Sequence, residues 1–390
     1  MNKIDSYLKD ALAKNSSDLH FISGDPPRSR IHGSLSVLSD EKLTIDGVRA
    51  ALYEIMSGGL QSDFEQHDAV DFAYEIPDVS RFRVNVMRHL NGIGAVFRAI
   101  PSQALTLDQL NMPDAVRILC KQTQGMILVT GKTGSGKSTT LAAMIDAINT
   151  KVKGHILTIE DPIEFVHKRK NCLISQREVG MHTDSFADAL MSALREDPDV
   201  ILVGELRDLE TISAAVTAAE MGILVMGTLH TNGAGQTVDR IVNTFPADKQ
   251  NHIRTMLSTS LRGVVSQQLL PTQDRPGRVA ALEIMINTPA VANLVRQGKL
   301  DQIETAMQSG GSIGMQTMDS ALQDLVRKGR NTALYAYHKA KNKSKIKSLL
   351  DDESGIVEPD LRRHRRPGTL AVLPQSGIMR RGPPIHQVPR

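Results

Sequence analysis

Two patterns of apolar positions divide the chain. In the first hundred residues, short alternating stretches are mixed with helix-spaced ones. Ile4 to Ala13 carries apolar residues at helical spacing, and Asn15-Ser16-Ser17-Asp18 breaks the run. Strand-like pieces follow at Leu19–Ile22, Arg30–His32 and Asp71–Ile76, with a helix around Val48 to Met56 between them. Arg81-Phe82-Arg83-Val84-Asn85-Val86-Met87-Arg88 alternates polar and apolar residues, which predicts a strand with one polar face. A hairpin at Leu90-Asn91-Gly92 returns it as Ala95–Arg98. These pieces predict a small α/β domain over residues 1–100, followed by a linker over 101–112 that starts near Pro101-Ser102-Gln103.

From about Leu107 the pattern changes. Mainly apolar runs at Met126–Val129, His155–Ile159, Val200–Val203 and Ile223–Leu229 alternate with helical segments at Leu141–Ile148, Phe186–Arg195 and Arg207–Glu220, the last closed by Gly222. Strands alternating with helices predict a parallel sheet with helical crossovers, here over residues 113–350. Residues from about 247 to 345 read as mostly helical, with a loop at Gly310–Gly314 and a core stripe of Met315, Met318, Leu322, Leu325 and Val326. Residues 351–390 lose the apolar pattern, scatter prolines around Arg362-Arg363-His364-Arg365-Arg366, and are expected to be disordered and basic.

Composition changes this picture little. With 41% hydrophobic and 23% charged residues, the 390-residue chain has the make-up of a soluble globular protein. A net charge of +3 does not demand a nucleic-acid partner, and the absence of tryptophan argues against base-stacking platforms. The only two cysteines, Cys120 and Cys172, fit no zinc or disulfide spacing, so a reducing, cytoplasmic setting is expected. No signal peptide is expected, and no apolar run reaches the roughly 18 residues of a membrane span, so membrane association is expected to be peripheral.

The chemistry starts at Gly131-Lys132-Thr133-Gly134-Ser135-Gly136-Lys137-Ser138-Thr139, a phosphate loop set between an apolar strand and a helix. Glycines let successive N–H groups turn toward phosphates, and the following helix N-terminus adds its positive end. Lys137 can reach the β- and γ-phosphates of ATP, and the Ser138 hydroxyl can ligate Mg2+. Glu160 and Glu164 follow the strand His155–Ile159, where open α/β sheets bind ligands; either could activate water, and spacing alone leaves the choice open. Glu205, after the apolar run Val200–Val203, fits the Walker B pattern that delivers an acid next to Mg2+. His230 ends another buried strand at the same sheet edge and suits a γ-phosphate sensor.

Together these motifs resemble the secretion-type ATPases, in particular the type IV pilus retraction ATPases of the PilT/PilU family. The resemblance covers roughly residues 1–330. It rests on Ser17–His20, Arg81–Val84, the phosphate loop, Thr158–Phe165, Gln176–Val179, Ala193–Asp199, Val203–Asp208, Gly227–Thr231 and Gly314–Thr317. It implies a PAS-like N-terminal domain, a RecA-like ATPase domain, a homo-hexameric ring and ATP held between the two domains. It further implies that Glu164 activates water, with Glu160 as runner-up, that Glu205 holds Mg2+, and that Arg83 and Arg98 reach the phosphates on domain closure. The implied partners are an inner-membrane platform protein at the pilus base and a paralogous retraction ATPase.

Three departures bear on this reading. The four-cysteine zinc site of the assembly ATPases is missing, which favours the retraction branch. A family helix of Ala-Ile-Arg-Asn-Leu-Ile-Arg appears here as Ala290-Val291-Ala292-Asn293-Leu294-Val295-Arg296, with Ala292 replacing the first arginine. The segment Arg327–Lys347 is strongly basic, and the tail after it matches no family motif. Two competing readings are a nucleotide-binding ring scaffold that depends on a partner ATPase and a DNA-pumping motor.

Overall fold

The computed structural model describes residues 2–31, 34–100, 104–273 and 277–353. The N-terminal sheet contains β1 (Asp18–Ile22), β2 (Arg28–Ile31), β3 (Ser34–Val37), β4 (Ala69–Ile76), β5 (Ser80–His89) and β6 (Gly92–Ile100). They pair antiparallel in the order β3-β2-β1-β6-β5-β4. Alternation along β5 buries Phe82, Val84 and Val86 and leaves Arg83 exposed. Three helices, Lys3–Ala13, Ile45–Ile55 and Gly58–His67, cover the buried face through Ile4, Leu8, Val48, Leu52 and Phe64. The hairpin at Leu90–Gly92 forms as expected, while β3 and the helix Gly58–His67 were not anticipated. Ser34-Leu35-Ser36-Val37 alternates polar and apolar residues, but the run is only four residues long and its apolar side chains stay exposed rather than joining the core.

The second sheet contains β7 (Gly125–Thr130), β8 (His155–Glu160), β9 (Leu173–Glu178), β10 (Val200–Val203), β11 (Leu224–Leu229), β12 (Leu261–Pro271) and β13 (Arg278–Ile286). Their order is β13-β12-β7-β11-β10-β8-β9, all parallel except the antiparallel pair β12–β13. Cores on both faces explain the uniformly apolar runs: Met126 and Leu128 of β7 join one, Ile127 and Val129 the other. The reading of residues 247–345 as mostly helical is corrected by β12 and β13. β12 is buried on both faces between β7 and β13, and polar Ser266 and Gln267 are buried within it, so no period of two survives. β9 is likewise a strand that the alternation did not mark.

The expected boundaries shift in two places. Leu107 and Met112 are buried in the core of the second sheet, so the interval read as linker is partly domain. Residues 101–103 and the tail beyond 353 lie outside the described residues, and the final helix runs over Ser344–Glu353. The C-terminal helices are tied back by the buried Glu283 of β13. Its carboxylate accepts the Ala234 N–H at 2.8 Å, the Met318 N–H at 3.3 Å and Lys341 Nζ at 2.8 Å. Among the described residues, no helix is long and apolar enough to cross a membrane.

Candidate active site

β7, β11, β10 and β8 lie side by side, so their carboxyl ends share one edge of the sheet. That edge carries, in the same order, the phosphate loop, His230, Glu205 and Glu160. Four motifs scattered over a hundred residues therefore meet at one cavity of about 470 Å³. Thr133, Gly134, Gly136, Lys137, Ser138, Thr139, Glu160, Glu164, Glu205 and His230 all line it. Gly131 and Ser135 are buried outside the lining, and Lys132 is exposed outside it.

Gln267 of β12, missed from sequence, shapes the loop. Its Nε2 donates to the Ser135 carbonyl at 2.7 Å, and its Oε1 accepts Thr140 Oγ1 at 2.7 Å. Gly131 has φ +145°, and a Cβ there would stand 2.4 Å from the Gln267 carbonyl oxygen. Gly136 has φ +90°, and its Cβ would stand 2.7 Å from Gln267 Nε2. Both glycines are thus required by curvature and by the close approach of β12. The helix Lys137–Lys151 begins with no side-chain cap, which leaves its first N–H groups available to a phosphate. Lys137 Nζ meanwhile donates to the carbonyls of Gly131 at 3.0 Å and Lys132 at 3.4 Å. Burial lowers the Lys137 pKa, against the opposing charges of Glu205 and Glu164.

The two candidate bases differ sharply. Glu160 is buried and takes three donors: Thr158 Oγ1 at 2.7 Å, Gln176 Nε2 at 3.3 Å and the Glu164 N–H at 3.2 Å. Burial raises its pKa despite them. Glu164 is exposed to the cavity, and its carboxylate has no hydrogen-bond partner among the described residues. Glu160 therefore fixes the loop, and Glu164 is the carboxylate free to meet a water.

Glu205 accepts Arg207 Nη2 at 2.7 Å and lies 3.2 Å from His230 Nε2. Burial raises its pKa, but the Arg207 hydrogen bond and the charges of His230 and Arg207 outweigh burial, and the net shift is downward. It is thus held ionised, the state in which a carboxylate can ligate a metal ion. Arg207 and Arg278 also line the cavity, and sequence reasoning gave neither a role. Arg207 lies within the Val203–Asp208 motif, two residues past Glu205, and Arg278 lies in the hairpin misread as helix.

Arg83 and Arg98 do not line this cavity. They face each other across β5 and β6, exposed, and pair with carboxylates of their own domain. Arg83 Nε is 3.9 Å from Asp71, and Arg98 Nε is 2.9 Å from Asp18.

His167 lines the cavity as a neutral ring, because burial pushes its pKa down to about 4 from 6.5. The unfolded chain takes up a proton near 6.5 while the folded chain waits until about 4, so acidification through that window favours unfolding. His167→Gln cannot titrate. Urea unfolding at about pH 7 and about pH 5 is expected to show a smaller acid loss of stability in that variant than in the native chain.

The model of the type II/IV secretion system protein family matches residues 1–352. The chain belongs to this family. The type IV pilus retractation ATPase PilT of Pseudomonas aeruginosa is 50% identical over 343 residues, covering 88% of this chain and 98% of that protein. A twitching motility protein of Neisseria gonorrhoeae is 52% identical over 316 residues, covering 81% of this chain and 84% of that one. The crystal structure of the pilus retraction motor PilT with bound ADP superposes with a TM-score of 0.83 at 43% identity, over 89% of this chain and 99% of that chain. The resemblance read from the motifs is borne out. As a secretion-family ATPase the chain combines a PAS-like N-terminal domain with a RecA-like domain, and the cavity described here lies on the latter.

Proposed function

We propose that the chain is an ATP-hydrolysing motor that drives type IV pilus retraction, working as a homo-hexameric ring at the cytoplasmic face of the inner membrane. The observation that carries this reading is the convergence of Lys137, Glu164, Glu205 and His230 on one cavity at the sheet edge. Binding of ATP moves Lys137 Nζ from the Gly131 and Lys132 carbonyls to the β- and γ-phosphates. The bare helix N-terminus takes phosphate oxygens with its N–H groups. Ser138 and the ionised Glu205 are the residues that would hold Mg2+, Glu205 through a water, and the ion would offset phosphate charge in the transition state. Glu164 orients and deprotonates the attacking water. His230, in contact with Glu205, reads the presence of the γ-phosphate and carries its loss into the loop that starts the helix Ala234–Thr244.

Arg83 and Arg98 act after closure of the N-terminal domain. Two guanidinium groups directly opposite on a sheet repel one another, and Asp18 and Asp71 only partly relieve them. A phosphate between them would relieve them more fully. The partners in this reading are five further copies of the chain, a membrane platform protein and a paralogous retraction ATPase.

The test is Mg2+-dependent ATP hydrolysis by the purified full-length protein alone. Turnover supports an autonomous motor. Bound ATP without turnover would overturn it in favour of a scaffold, and turnover that requires DNA would favour a nucleic-acid pump.

A further inference from the structure

The two domains touch at an ion pair that no motif foretold. Arg81, at the start of β5, reaches out of the N-terminal sheet and places Nη2 3.2 Å from Oε2 of Glu178, the last residue of β9. Both side chains are well shielded, at 17% and 7% exposure. The same Glu178 oxygen accepts the backbone N–H of Ile163 at 3.1 Å. Ile163 is itself buried and immediately precedes Glu164. The next N–H along, that of Glu164, goes to the buried Glu160. The loop carrying Glu164 therefore hangs between two fixed carboxylates, and one of them takes its counter-charge from the other domain.

We propose that Arg81 and Glu178 are positioning residues that make Glu164 responsive to the orientation of the N-terminal domain. With Arg81 seated, the Glu178 carboxylate is neutralised and stays in place to hold Ile163. Closure that carries Arg83 and Arg98 toward the phosphates keeps Arg81 on Glu178, whereas opening of the N-terminal domain withdraws Arg81 and leaves a buried carboxylate without its cation, a costly arrangement. Glu178 then moves toward water, the Ile163 N–H loses its acceptor, and Glu164 leaves its position over the γ-phosphate. Hydrolysis is thereby confined to one arrangement of the two domains. The inference rests on Glu164 as the water-activating residue.

The experiment uses the full-length protein with Arg81→Ala, Arg81→Lys, Glu178→Gln and the Ala/Gln double variant. Steady-state ATP hydrolysis, binding of a fluorescent ATP analogue and thermal unfolding are measured on each. Arg81→Ala is expected to lower kcat roughly tenfold, the scale of typical site-to-site coupling, with analogue affinity unchanged. Arg81→Lys should recover much of the rate, and the double variant should be no slower than the slower single one. Unchanged kcat in Arg81→Ala overturns the proposal. So do single effects that multiply in the double variant, or a loss of rate that tracks loss of folded protein and is not recovered by lysine. Glu164→Gln run alongside separates the two readings. Native turnover in that variant removes the role of Glu164 and the relay with it; lost turnover there, with native turnover in Arg81→Ala, removes the relay alone.

Discussion

Lys137→Ala is expected to lower ATP hydrolysis about a thousandfold, the upper range for removing one preorganised charge-stabilising group. Nucleotide affinity should fall with it, because the lysine touches phosphate in the ground state as well as in the transition state. The fold should survive. The ammonium is buried and held by two carbonyls, and burial already disfavours its charge. Removing it relieves that penalty while freeing two oxygens beside an open cavity that water can enter. Thermal unfolding should therefore shift little without nucleotide, and the stabilisation that ATP gives the native protein should vanish. A variant that still gains stability from ATP would show that Lys137 is not the main phosphate contact.

Glu164→Gln should separate binding from chemistry. A base contributes about 10²–10⁴ to rate, so turnover should drop at least about a hundredfold while ATP still binds. The exposed carboxylate has no hydrogen-bond partner to lose among the described residues, and the backbone N–H that holds the loop is untouched. Glu160→Gln is the contrasting variant. Its amide would replace one acceptor by a donor among three groups that already donate, so it should disturb the loop and the folded state together. Single-turnover hydrolysis and analogue binding on both variants decide the assignment. Native hydrolysis by Glu164→Gln would transfer the base to Glu160.

What the sequence made legible was local. The phosphate loop, the Walker B strand and the strand before His230 are each a buried run that ends in polar groups. Their alignment at one edge follows from the parallel sheet that those same runs predict. What stayed hidden depends on partners far along the chain. Gln267 reaches the loop from a strand whose two-sided burial erased its period. Glu178 was visible as part of a motif, but its tie to Ile163 exists only once β9 lies beside β8, and its tie to Arg81 only once two domains are packed. Arg81 illustrates the limit well: the strand was read correctly and Arg83 was singled out, yet the arginine two residues earlier makes the contact with the ATPase domain.

The Glu283 tether sets a practical rule for anyone cutting or labelling this molecule. Lys341 supplies the positive partner of a carboxylate that also anchors the first turns of two helices, one of them directly after the His230 loop. A shortened chain that ends before Lys341 would strand that carboxylate inside the protein. The dispensable part of the C-terminus, and the place for a fluorescent fusion, should be sought beyond this residue.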